Sequence, residues 1–174
     1  MKKISLLIIV VLLITAAISC NKVEQVPARP SIEFSNFKIF DTLDILENVS
    51  KGGRLSFRFE DGDGNVGLAA PVTESSDTTN LHLTLYRKIN GSMVRVTDKN
   101  DPMLPYSSYR IPYMERLGQN KVLRGTIEVT FIYQSYSPTD TIKYEFYIKD
   151  RAGNISNLAE TSEIIVAKND TYSR

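Results

Sequence analysis

The sequence predicts an all-β protein. Apolar residues recur at every second position in segment after segment, clusters of Gly, Asn, Asp and Pro separate the segments, and no stretch carries the spacing of an amphipathic helix. Side chains along a strand point alternately to opposite faces, so a period of two marks one buried face and one solvated face. About seven or eight such strands fit an immunoglobulin-like antiparallel β-sandwich. A lipocalin-like barrel would use the same alternation.

A leader precedes the strands. Lys2 and Lys3 stand before an apolar run at positions 4–14, followed by the small-residue stretch Thr15, Ala16, Ala17, Ile18 and Ser19. That is the three-part layout of a secretory signal. A membrane-spanning helix needs about 20 apolar residues, and this run is shorter and breaks into polar Asn21 and Lys22. Residues 1–19 are therefore expected to be removed. Ala17-Ile18-Ser19-Cys20 resembles the lipobox of bacterial lipoproteins, whose cysteine takes a diacylglycerol before cleavage on its N-terminal side. Cysteine counting agrees, because Cys20 is the only cysteine and has no partner for an intramolecular disulfide. Lipidation also removes an exposed thiol from an oxidising compartment.

Loss of the leader leaves about 155 residues, the size of one domain that buries roughly two-thirds of its unfolded surface. The whole chain carries 21 basic and 20 acidic residues, and the leader takes Lys2 and Lys3 with it. A near-neutral domain offers no electrostatic case for nucleic acid. Residues 20–30 hold Pro27 and Pro30 without apolar periodicity and read as a lipidated tether; 31–168 is the sandwich and 169–174 a polar tail.

Within the domain, Ile32 and Phe34 open the alternation, and the phase shifts near Asn36 before Phe37 and Ile39, which predicts a bulge. Leu55, Phe57 and Phe59 alternate with Arg54, Ser56, Arg58 and Glu60. Leu81, Leu83 and Leu85 form the next strand, and Asn90-Gly91 turns it into an antiparallel partner at 93–96. Residues 98–113, with Pro102, Pro105 and Pro112, read as a long irregular excursion. Ile127, Val129, Phe131 and Tyr133 make a long strand that ends at a turn around Pro138, and Ile142, Tyr144, Phe146 and Ile148 repeat the pattern. A last strand is expected near 164–166.

The most distinctive string is Glu60-Asp61-Gly62-Asp63-Gly64-Asn65-Val66-Gly67, directly after the strand of Phe57 and Phe59. Alternating carboxylates and glycines can wrap oxygens around a hard cation, and calcium takes about 6 to 8 of them. The string is not an EF-hand, since counting from Asp61 puts Val66 where glycine is required and Val72 where glutamate is required. A second string, Asp150-Arg151-Ala152-Gly153-Asn154, leaves the strand of Tyr144 and Phe146 in the same way. In a sandwich the two loops emerge at one end, so Asp61, Asp63, Asn65, Asp150 and Asn154 would converge on a calcium ion. Against this stands the ordinary use of Asp, Asn and Gly in tight turns.

Other chemistry finds little support. His82 is the only histidine and falls on the polar phase of its strand, which suits a structural or solvated role. With Cys20 lipidated, neither a Ser-His-Asp nor a Cys-His arrangement is visible, and no zinc set is available. Tyr106, Tyr109 and Tyr113, with Arg110, could form a stacking surface for a sugar or a peptide; alternatively these rings plug one end of the sandwich.

Asp61-Gly62-Asp63-Gly64-Asn65-Val66-Gly67-Leu68, Arg110-Ile111-Pro112-Tyr113, Thr141-Ile142-Lys143-Tyr144-Glu145 and Asp150-Arg151-Ala152-Gly153-Asn154-Ile155-Ser156-Asn157 together resemble a group of lipoproteins from Bacteroidota-type Gram-negative bacteria. The resemblance implies a β-sandwich on a lipid anchor and brings no catalytic residues with it. Asn21 directly after Cys20 is not the aspartate that retains enterobacterial lipoproteins at the inner membrane, so the chain is expected at the outer membrane, held through its N-terminal lipid, with the periplasmic or surface face open. The expected role is a non-catalytic module for a protein or glycan partner, with an accessory carbohydrate-binding or hydrolytic lipoprotein as the alternative.

Overall fold

A computed structural model describes residues 26–70, 78–98, 101, 108–115, 121–133 and 135–173. The leader, Cys20 and Tyr106 lie outside the described residues. Ten strands and no helix occur among those described: β1 Ser31–Leu43, β2 Val49–Asp61, β3 Leu81–Ile89, β4 Ser92–Arg95, β5 Ser108–Tyr109, β6 Leu123–Tyr133, β7 Thr141–Ile148, β8 Ala159–Glu160, β9 Ile164–Ile165 and β10 Thr171–Ser173. They form two antiparallel sheets. One has the order β10-β1-β2-β6, and the other the order β4-β3-β7-β8, with β5 on β3 and β9 on β7.

The alternation read from the sequence decides which faces meet. Phe34 lies opposite Phe57, and Leu55 opposite Val129. In the second sheet Leu83 faces Phe146 and Leu85 faces Tyr144. The two apolar faces pack together, with the Phe57 and Phe146 rings 5.1 Å apart and the Phe37 and Tyr144 rings 5.7 Å apart. Burying one such side chain contributes about 1.5–3 kcal/mol, so the shared core holds the layers together. The phase shift near Asn36 is a bulge: Phe34 pairs with Phe57 and Asn36 with Ser56, leaving Ser35 as the extra residue. Asn90 (φ 49°) and Gly91 (φ 84°) make the β3–β4 turn, where a tight hairpin needs positive φ at both positions.

Four expectations are corrected. The strands outnumber the seven or eight expected because β5, β8 and β9 have two residues each, too few for periodicity to register. Residues 108–109, assigned to an irregular excursion, form β5 on the edge of β3. The tail at 169–174 contains β10, which pairs Phe37 with Tyr172 through the backbone. Finally, the C-terminal part of the tether is not free. Gly62 N–H donates to the Pro27 carbonyl at 3.0 Å, Arg29 Nε donates to the Ile155 carbonyl at 2.5 Å, and Pro30 is buried.

Ser31 pairs with Glu60, and Glu60 pairs with Arg124. The start of β1, the end of β2 and the start of β6 therefore share one pole of the fold.

Candidate functional site

Both acidic strings leave their strands at this pole. Asp61 is the last residue of β2, and Asp150 follows β7 after one residue. The two strands belong to different sheets, so their packing brings the two loops together across the sandwich. Arg151 N–H donates to the Asn65 carbonyl at 3.3 Å, and Arg151 Nη1 donates to the Gly67 carbonyl at 2.9 Å.

Each loop is shaped by its leading aspartate. Asp61 is fully buried, and its Oδ2 accepts from the N–H groups of Asn65 (2.7 Å) and Val66 (3.0 Å). Asp150 is also buried; its Oδ1 accepts from the Asn154 N–H at 2.7 Å and its Oδ2 from Asn154 Nδ2 at 2.8 Å. Asp63 Oδ2 accepts from Asn65 Nδ2 at 2.8 Å. These bonds are the turn chemistry that Asp and Asn supply. Turn formation leaves some oxygens unused: Asp61 Oδ1 and Asn65 Oδ1 are buried and accept no hydrogen bond among the described residues.

Carboxylate oxygens of Asp61, Asp63 and Asp150 all lie within 4.8 Å of one another. Two ionised carboxylates at that distance repel by about 3 kcal/mol at an effective dielectric of about 20. The strain shows at Asp61, whose carboxyl is pushed above its ordinary value of 3.8, first by burial and then by the charge of Asp63, against the lowering effect of the Asn65 and Val66 N–H groups. Arg151, which bridges the two loops, sends its guanidinium to the Gly67 carbonyl and over the Tyr113 ring, 4.9 Å from the centroid.

The set fits a hard cation. Oxygens bound to one calcium ion can stand no more than about 5 Å apart, twice the metal–oxygen distance. Asp61 Oδ1, Asp63, Asn65 Oδ1 and a second lone pair on Asp150 would supply four oxygens, with water completing the shell. No family model, curated protein or solved structure matches the chain.

Of the residues singled out in the sequence, Asp61, Asp63 and Asp150 come together and Asn65 lies beside them. Asn154 stands behind, shaping Asp150 through both of its donors. The tyrosine surface divides. Tyr109 packs against the core with its ring 5.4 Å from Phe131, so it plugs the sandwich instead of facing a ligand. Arg110 Nη2 is engaged by the Leu68 carbonyl at 2.9 Å, whereas Tyr113 is 51% exposed beside Arg151. His82 contacts Ser108 Oγ at 3.1 Å and stacks on Tyr147.

Sequence reasoning missed Asn80. It is buried just before β3; its Oδ1 accepts from Ile111 N–H at 2.7 Å and its carbonyl from Lys149 N–H at 2.8 Å. Asn80 thus ties the tyrosine segment to the exit of β7. Its only sequence signal is an amide placed directly before an apolar strand.

Proposed function

We propose that the protein is a lipid-anchored cell-envelope module, built on an immunoglobulin-like sandwich, that holds a calcium ion between its two acidic loops and works as a non-catalytic binding protein. The observation that carries the reading is the buried Asp61 Oδ1. Among the described residues it accepts no hydrogen bond, yet it belongs to a residue clustered with two other carboxylates within 4.8 Å. An acceptor buried at a cost of about 1–3 kcal/mol is accounted for if a cation completes it.

In this reading the ion neutralises the repulsion and pins the two loops, and Arg151 then presents the exposed Tyr113 ring beside them. Diacylglycerol on Cys20 would hold the module at the outer membrane, and a protein or glycan would bind at the pole.

The test is calorimetric titration of the purified protein with calcium and with magnesium, paired with thermal melting. Calcium at about 100 times its dissociation constant should stabilise the fold by about 2.7 kcal/mol, or roughly 5–10 °C for a domain of this size. Absence of both heat and a melting shift rejects the ion. The anchor is tested separately by Cys20→Ser, which should release the protein from the membrane fraction.

A further inference from the structure

We infer that the outer edge of β6 is a self-association surface through which two copies of the chain join their four-stranded sheets into one continuous eight-stranded sheet. This does not depend on the cation site.

β6 ends the order β10-β1-β2-β6, and among the described residues it pairs with β2 alone. It runs for eleven residues, whereas β10 has three, β4 four and β8 two. A long edge strand presents a row of backbone N–H and C=O groups, and proteins usually blunt such rows with proline, lysine or a bulge. Leu123–Tyr133 contains neither proline nor lysine, and its pairing with β2 is unbroken. On its core side Leu123, Ile127 and Val129 remain only half-buried.

The occupant follows from charge and register. Two copies of β6 meeting antiparallel must keep core-facing residues opposite core-facing residues, so a twofold axis has to pass through a residue. An axis at Arg124 or Glu128 sets like charges opposite each other, and one at Gly125 or Ile127 leaves both charges opposite uncharged residues. An axis at Thr126 alone among these sets Arg124 opposite Glu128 of the second copy, twice over. It also places Leu123 against Val129 and Ile127 above Gly125, covering the half-buried side chains. Within one chain Arg124 already holds Glu60, and Glu128 lies 3.9 Å from Arg54. Across the junction the charges then alternate from Glu60 through Arg124 to the second copy's glutamate and arginine. Opposite charges across neighbouring strands stabilise a sheet, and like charges destabilise it.

The experiment is sedimentation of the full chain in detergent, with Arg124→Glu, Glu128→Arg and the double exchange, each checked for an unchanged melting temperature. The wild type should sediment as a dimer at micromolar concentration. Each single variant, with two like-charge pairs, should weaken the dimer by about tenfold, and the double exchange should restore it. Register is read with a short bismaleimide in a Cys20→Ser background: T126C should cross-link efficiently and T130C should not. A wild type that remains monomeric, a dimer indifferent to both single variants, or preferential cross-linking of T130C would overturn the proposal.

Discussion

The hydroxyl oxygens of Tyr133 and Tyr144 lie 2.9 Å apart in the core, joining β6 of one sheet to β7 of the other. Both side chains are fully buried, and burial pushes both phenols above their ordinary value of 10.0. Neither ring is available for contact with a ligand; the pair is a polar rivet between the two layers.

Removing one hydroxyl should cost more than half of removing both. Tyr133→Phe leaves the Tyr144 hydroxyl buried without its partner, a loss of about 1–3 kcal/mol, while the double phenylalanine variant should lose less than the sum of the singles. Urea unfolding of the four proteins measures this. Because the folded phenols ionise only well above the unfolded value, their stabilising contribution is complete below pH 10 and falls away at higher pH.

Asp61 should make the cation-free protein weaker as pH rises. Its folded-state value is raised above 3.8, so its contribution to stability is present below that value and is lost as pH climbs through the raised one. Asp61→Asn keeps an acceptor for the Asn65 and Val66 N–H groups without the charge. In chelator, the variant should therefore melt above the wild type at neutral pH, with the gap closing in acid. Added calcium should reverse the order, since only the wild type gains. Melting curves between pH 3 and pH 8 that run parallel for the two proteins would contradict this account.

Asp63 and Asp150 should separate binding from folding. Asp63 accepts a bond from Asn65, whereas Asp150 organises its whole turn through Asn154. Asp63→Asn is expected to weaken calcium binding by more than about tenfold, through the loss of one charged oxygen from the shell, without lowering the melting temperature in chelator, since it also removes a like charge beside Asp61. Asp150→Ala should destabilise the protein by about 1–3 kcal/mol even in chelator, because two donors lose their acceptor. Calorimetry and chemical denaturation distinguish the two.

Gly62→Ala should dislodge the segment that precedes β1. A Cβ at this position would stand 2.1 Å from the Val26 carbonyl oxygen and 2.5 Å from that of Pro27, so backbone must move. A cost of about 1–3 kcal/mol is expected, together with faster amide exchange in residues 26–30.

The sequence revealed the sheets better than it revealed their margins. The bulge at Ser35 was legible because inserting one residue inverts the phase of everything after it, and Phe37 and Ile39 record that inversion. The convergence of Asp61 and Asp150 was legible because strand order sends both loops to one pole. β10 was not, since Thr171, Tyr172 and Ser173 pair through backbone groups that any residue carries. The docking of Val26 and Pro27 on Gly62 escaped for the same reason: carbonyl oxygens leave no mark in side-chain chemistry. Tyr109 left two readings open because a tyrosine among prolines looks like a loop ring, and two residues of pairing with β3 turn it into the core.

The entry of the chain at the acidic pole has a mechanical meaning. Tension arriving from the N-terminal side reaches the hydrogen bonds of Arg29 and Gly62 first, and beyond them it pulls β1 lengthwise along β2. Loaded in that direction, the rungs between Ser31 and Leu43 share the force instead of parting one at a time, as they would if the strand were peeled sideways. A domain held by this end resists extraction through its unfolding rate, and the first strand is its brake.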